Sequence, residues 1–216
     1  MRSPTFLTNP LVPLVADSST VINLIATGCA PAIITALPNR IVAVDVIPGE
    51  LDTGRRQGHP HADALQDLVA AGHIEIVPLD DTGWQHFEML VVGHAWETLD
   101  DGEAATIAYA TQCGAVAIID ERKGTRICAE RFPDLGIITT VDVLLHPKVR
   151  LKLGERPFAD AIFAALRDAR MAVFPRHFDE VVRLIGPERA AQCPSLPKAW
   201  RVSAQKYAAP EVERGA

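Results

Sequence analysis

LDDGEAATIAYATQCGAVAIIDERKGTR, Leu99 to Arg126, places carboxylates at both ends of one helix-then-strand unit. Ala104, Ala105, Ile107, Ala108, Ala110 and Thr111 give a small-residue face compatible with a helix that Glu103 opens and Gly114 stops. The apolar run Ala115 to Ile119 follows at once and reads as a buried strand. It ends abruptly in Asp120 and Glu121, with Arg122, Lys123 and Arg126 just beyond. An open parallel sheet carries its chemistry at the carboxyl edge of its strands, where acids that follow other strands would join Asp120 and Glu121.

The same strand-then-acid pattern recurs toward the N-terminus. Leu11 to Ala16 is a short apolar strand ending in Asp17, and Ser18, Ser19 and Thr20 supply capping hydroxyls for a helix that runs to Gly28. Pro31 restarts a second helix through Leu37. Ile41 to Ile47 is a β-branched strand, after which Pro48 starts a helix with Glu50 in its first turn, and Thr53 to Pro60 is a polar, basic loop. Further helices are expected around Leu65 and around Phe87, with a short strand, Ile74 to Val77, between them. Ile137 and Ile138 form a last strand running into Thr139 and Thr140, followed by a helix from Val141 to Leu145. Beyond Pro147 come two helical segments, Phe158 to Arg170 and Phe178 to Ile185.

Strands alternating with helices imply an α/β protein, a three-layer α/β/α arrangement around a parallel sheet, with a helical C-terminal extension. The expected division is a lead-in over 1–10, an α/β domain over 11–150, the extension over 151–200 and a polar, disordered tail over 201–216. With 216 residues, 48% of them hydrophobic and 22% charged, the chain is long and apolar enough to bury a large core.

Net charge of −6 counts against a protein held on nucleic acid by a global positive field. It counts less against a nuclease, whose acids are neutralised by the cations they hold. Cys29, Cys113, Cys128 and Cys193 form no CxxC pair and have no His at zinc spacing, as expected of free thiols in a reducing compartment. The apolar patch Leu11 to Ala16 is too short for a signal-peptide core or a membrane span, so a cytoplasmic address with no membrane contact is expected.

Asp17, Glu50, Glu103, Asp120 and Glu121 all fall where a strand ends or a helix begins. Hard divalent cations take oxygen ligands, and phosphodiester hydrolysis uses such ions to activate water and stabilise the leaving oxygen. Each acid also has a plain structural reading. Asp100-Asp101-Gly102-Glu103 resembles a capping box, Glu50 favours a first helical turn, Asp17 is placed to cap a helix, and Asp120-Glu121 is a polar strand end. A rival metal motif, His59-Pro60-His61-Ala62-Asp63, has the His-x-His-x-Asp order of a binuclear zinc hydrolase, lacks the following His, and reads equally as a polar loop entering a helix.

VADSSTVINL, VIPGEL, LDDGEAATIAYA and AIIDERKGTR, in that order, resemble the four motifs of the PIN domain, the metal-dependent ribonuclease fold of VapC-type toxins in toxin-antitoxin pairs. The likeness covers Leu11 to Leu145. It implies Mg²⁺- or Mn²⁺-dependent endoribonuclease activity on RNA, with Asp17, Glu50, Glu103 and Asp120 catalytic and with Asp17, Glu103, Asp120 and Glu121 as metal ligands. Many members carry Asp where this chain has Glu121, leaving Asp120 alone or both acids as ligands. Ser18 or Ser19 would hold a coordinated water, and Arg122, Lys123 and Arg126 would attract the phosphate backbone, their alternative being a solvated basic helix start. An antitoxin is the protein partner implied; separately, the apolar positions Ala161, Ile162, Ala165 and Leu166 with Val181, Val182, Leu184 and Ile185 are expected to cover the core or a homodimer surface. The competing reading is a PIN-fold binding or scaffold protein acting through its C-terminal helices. A receiver domain fits less well, because Asp17 is followed by Ser18 rather than by a second acid.

Overall fold

The computed structural model describes residues 9–56 and 61–201. His59 and Pro60 of the His-x-His-x-Asp motif, the lead-in before residue 9 and the tail beyond 201 lie outside them.

Five short strands form one all-parallel sheet: β1 (Leu14–Ala16), β2 (Ile41–Val44), β3 (Ile74–Val77), β4 (Val116–Ile118) and β5 (Gly136–Ile138), in the order β3-β2-β1-β4-β5. The central strands are apolar throughout because both faces are covered. Leu14, Ala16, Ile41, Ala43, Val116 and Ile118 enter one core, while Val15, Val42, Val44, Ala117 and Ile119 enter the other. This alternation is the two-residue period of a strand between two helical layers, giving the three-layer α/β/α fold.

The first layer holds α1 (Ser18–Ala26), α2 (Ala30–Ala36), α3 (Val46–Arg56) and α4 (His61–Ala70), then α8 (Thr140–Leu144), α9 (Pro147–Leu153), α10 (Glu155–Asp168) and α11 (Phe178–Ile185), with the short α12 (Pro187–Ala190) after it. The second holds α5 (Asp81–Val91), α6 (Asp101–Cys113) and α7 (Arg122–Arg131). Phe158, Ile162, Leu166, Val181 and Ile185 of the C-terminal helices join the same core as Leu14 and Ile41. Gly114 ends α6 at φ 63°, ψ 33°, a left-handed conformation that glycine adopts without a Cβ clash, and the chain turns directly into β4.

Several boundaries differ from expectation, and α10, expected over Phe158 to Arg170, spans Glu155–Asp168. β1 begins at Leu14 rather than Leu11, because Asn39 Nδ2 donates to the Asn9 and Val12 carbonyls and holds the preceding residues in a turn. β2 ends at Val44, where the Asp45 N–H makes a last bond to the Val77 carbonyl, and α3 starts at Val46. Pro48 is thus the third helical residue, where its missing N–H lacks an intrahelical partner anyway, and Ile47 packs into the core as part of the helix. Glu50 consequently lies past the first turn, and α3 runs through Thr53 to Arg56, residues expected in a loop. Finally, Pro147 at a first helical position initiates α9, a helix not among those expected.

Candidate active site

Adjacent strands β1 and β4 pair in parallel with Ala16 opposite Ile118, so the acids that follow them emerge side by side at the carboxyl edge. Asp17 is 3% exposed and caps α1: its Oδ1 accepts the Thr20 N–H at 2.7 Å, and the Ser19 hydroxyl donates to Oδ2 at 2.8 Å. Burial, then the charge of Asp120, pushes the Asp17 carboxyl up to about 6, against the lowering effect of its hydrogen bonds from Thr20 and Ser19.

Asp120, 5% exposed, is held from two elements. Its Oδ1 accepts the Thr140 N–H at 2.7 Å, and its Oδ2 accepts the Thr140 hydroxyl at 2.6 Å and Asn23 Nδ2 at 2.9 Å. Burial raises its pKa while these three donors oppose the rise.

Glu103 enters from α6. The capping-box expectation holds for one partner only, since the Asp100 carboxylate accepts the Glu103 N–H at 2.9 Å, whereas Glu103 Oε1 is buried with no hydrogen-bond partner among the described residues. Burial first, then the charges of Asp100, Glu121 and Asp17, pushes its carboxyl up to about 8, with Lys123 opposing. Its place is made by a glycine: a Cβ on Gly124 would lie 2.7 Å from Glu103 Oε1 and 2.9 Å from Ile119 Cγ2.

Glu50 stands beside this group. Its carboxylate accepts the Ser18 hydroxyl and the Gly102 N–H, and a side chain on Gly102 would collide with it. Burial raises its pKa against those bonds. An open pocket of about 510 Å³ begins at Ser18 and Glu50 and continues between Ile22, Leu51, His61 and Asp168. A larger cleft of about 590 Å³, lined by Gly114 and Arg131, contains none of the acids.

A family model described as a PIN domain matches residues 13–187. The chain belongs to the PIN domain family. No curated protein and no solved structure matches it. PIN domains are generally nucleases, and PIN nucleases typically use Mg²⁺ or Mn²⁺. The family match extends through most of the C-terminal helices. Among the described residues, no single helix is long and apolar enough to cross a membrane.

Among the described residues of this PIN domain, no three His, Cys, Asp or Glu side chains close tightly enough to hold an ion as they stand. The donor chemistry nevertheless fits a hard cation: the acids that press on one another are all carboxylates, and Glu103 Oε1 is a buried oxygen awaiting a partner. A positive ion there would offset both the burial and the repulsion that raise the two pKa values.

Glu121 precedes α7 as an exposed residue without a side-chain cap bond, and its charge reaches Glu103. Ser18 and Ser19 both spend their hydroxyls on acids, Glu50 and Asp17. Arg122 is exposed, whereas Lys123 Nζ donates to the Ala95 carbonyl at 2.7 Å and Arg126 bonds the Trp96 carbonyl and Glu130.

Asn23 and Thr140 were absent from the sequence-derived site, although both touch Asp120. Asn23 carried a signal, a polar side chain inside the apolar run Val21 to Ile25. Thr140 lies in a Thr139-x-x-Asp142 capping box, which fixes the first turn of α8. Burial would raise the Asp142 pKa, but bonds from His177, Thr139 and Arg176 hold it well below the usual carboxylate range.

Proposed function

We propose that this PIN domain is an endoribonuclease that hydrolyses RNA phosphodiesters with Mg²⁺ or Mn²⁺. What supports the reading is the mutual electrostatic pressure of Asp17 with Asp120 and of Asp17 with Glu103 near the carboxyl edge, with Glu103 Oε1 buried and without a hydrogen-bond partner among the described residues. Those three acids would hold the cation, with Glu121 at its margin and Glu50 orienting the group through Ser18 and Gly102. When bound, the ion activates a water and offsets charge on the leaving oxygen.

The chain's own residues aim and hold the acids. Ser19 and Thr20 fix Asp17, while Asn23 and Thr140 fix Asp120, so that little reorganisation is left for the reacting state. Without a cation, Glu103 keeps its proton at neutral pH, because its carboxyl is pushed up to about 8. Loading the site takes that proton away. The pocket beside Ser18 and Glu50 gives a nucleotide flanking the scissile bond somewhere to sit.

In this reading the protein is a cytoplasmic toxin or toxin-like nuclease held in check by an antitoxin, with a second copy of the chain as a further partner. The alternative, a non-catalytic PIN-fold scaffold acting through its C-terminal helices, draws on one specific observation: both Asp120 oxygens are already occupied by hydrogen bonds.

Incubating the protein with single-stranded RNA in Mg²⁺, in Mn²⁺ and in excess chelator separates the two. Internal cleavage that needs the ion and disappears in Asp17→Asn and Asp120→Asn is expected. Cleavage that survives both substitutions, or folded protein inert toward RNA under every condition, overturns the nuclease reading.

A further inference from the structure

The basic residues at the start of α7 brace a loop that presents an aromatic pair. After α5 the chain turns at Gly93, whose φ of 141° suits glycine, and a tight turn closes with the Glu97 N–H on the His94 carbonyl at 2.7 Å. Lys123 Nζ holds the Ala95 carbonyl at 2.7 Å and Arg126 Nη2 holds the Trp96 carbonyl at 2.8 Å. Two long cationic side chains thus fix consecutive carbonyls of one turn.

On that braced turn the His94 and Trp96 rings lie nearly parallel, 8° apart with centroids 6.4 Å apart, and Trp96 is 64% exposed. Its position relative to the acids follows from Lys123, which bonds the turn while its charge acts on Glu103.

We propose that the His94–Trp96 turn is a base-stacking platform for single-stranded nucleic acid, receiving a nucleobase a short distance along the strand from the acid site. The proposal rests on the nuclease reading for its substrate class. Every base offers a π-face, so stacking binds strands without demanding a sequence. It also answers a charge problem. The chain carries a net charge of −6 and Arg126 is paired with Glu130, so long-range attraction for phosphate is small, and stacking adds affinity that does not depend on charge. A turn braced at two carbonyls presents its rings with little conformational entropy left to lose. An apolar protein surface is the competing occupant, since Val92 and Met89 nearby are also exposed.

The test compares two probes of equal length, an oligouridylate and a fully abasic ribose-phosphate strand, by fluorescence anisotropy in Ca²⁺ with the full chain. Wild type should bind the base-bearing strand more tightly. Trp96→Ala should weaken that binding about 5- to 100-fold and leave the abasic strand unaffected. Trp96→Phe should recover part of the loss. Trp84 is the control: it is exposed, and it follows Gly83, whose neighbour Gln112 lies at the end of α6 remote from Glu103, so Trp84→Ala should change nothing.

Failure to bind either strand, equal binding of both by wild type, an unchanged Trp96→Ala, or an equal loss in Trp84→Ala would each overturn the platform, the last pointing to general apolar contact. Cleavage is scored separately in Mg²⁺. Trp96-dependent base preference without cleavage removes the nuclease reading alone, and cleavage without base preference removes the platform alone.

Discussion

Thr140 meets Asp120 twice, its N–H donating to Oδ1 at 2.7 Å and its hydroxyl to Oδ2 at 2.6 Å, which ties the acid after β4 to the helix after β5. Asn23 completes the set from α1. Three donors from two other elements leave Asp120 one orientation.

Removing one of these donors should therefore act through Asp120. Asn23→Ala is expected to lower cation affinity and RNA cleavage about 10- to 100-fold, the usual cost of losing a group that orients a ligand, while the far-ultraviolet dichroism stays native. Thr140→Val, which keeps the N–H bond and loses the hydroxyl, should fall between wild type and Asn23→Ala combined with it. Normal cation affinity in the double variant would show that Asp120 is not a ligand.

Gly124 gives a steric test of Glu103. A methyl group there meets Glu103 Oε1 and Ile119 Cγ2 inside contact distance, so Gly124→Ala must displace one of them. The expected result is a stability loss of about 1–3 kcal/mol by chemical denaturation together with a marked drop in activity. Full activity in that variant would mean that Glu103 is free to move and is not fixed in the site.

The raised pKa values set a pH dependence with a definite sign. Between the ordinary values, 3.8 for Asp17 and 4.5 for Glu103, and the folded values, about 6 and about 8, the native state binds more protons than the unfolded chain. Stability of the cation-free protein should fall as pH rises through that window, by an amount of order a few kcal/mol. Asp142 acts oppositely: its depressed pKa contributes stability above 3.8 that is lost as pH falls below it. Thermal melts in chelator from pH 5 to pH 8 should show a falling Tm, flattened above pH 6 in Glu103→Gln and restored in wild type by Mn²⁺. A flat or rising Tm in wild type would contradict the burial of these acids.

Phe158 on α10 is 2% exposed in the core shared with β1 and β2. Phe158→Ala should cost about 3–5 kcal/mol and unfold the chain in a single transition. Two transitions, with the sheet melting separately from the C-terminal helices, would show that those helices form a unit of their own.

Strands β1 and β4 are legible because they are buried on both faces and read as unbroken apolar runs ended by an acid, whereas in the run from Ile41 to Ile47 Asp45 marks the point, passed over in the strand pattern, where β2 gives way to α3. Asp17 and Asp120 were legible for the same reason. Their plain and functional readings also coincide, since Asp17 does cap α1 while sitting beside Asp120. Glu103 divides the two readings: the backbone bond of the capping box forms, but its side chain turns inward. What the sequence withheld was long-range. Asn23 lies 97 residues from Asp120, and no local pattern announces that pairing. Nor did the basic run Arg122 to Arg126 disclose that two of its side chains would hold the turn at Ala95 and Trp96.

The most direct test of a cation site built on these acids is calorimetric titration of the full chain with Mn²⁺ at pH 7, in two buffers of different ionisation enthalpy, beside Asp17→Asn and Glu103→Gln. Wild type should bind the ion and release protons, because Glu103 is mostly protonated at that pH, and Glu103→Gln should lose both binding strength and the released proton. Folded wild type that takes up no Mn²⁺, or binding that both substitutions leave unchanged, would contradict it.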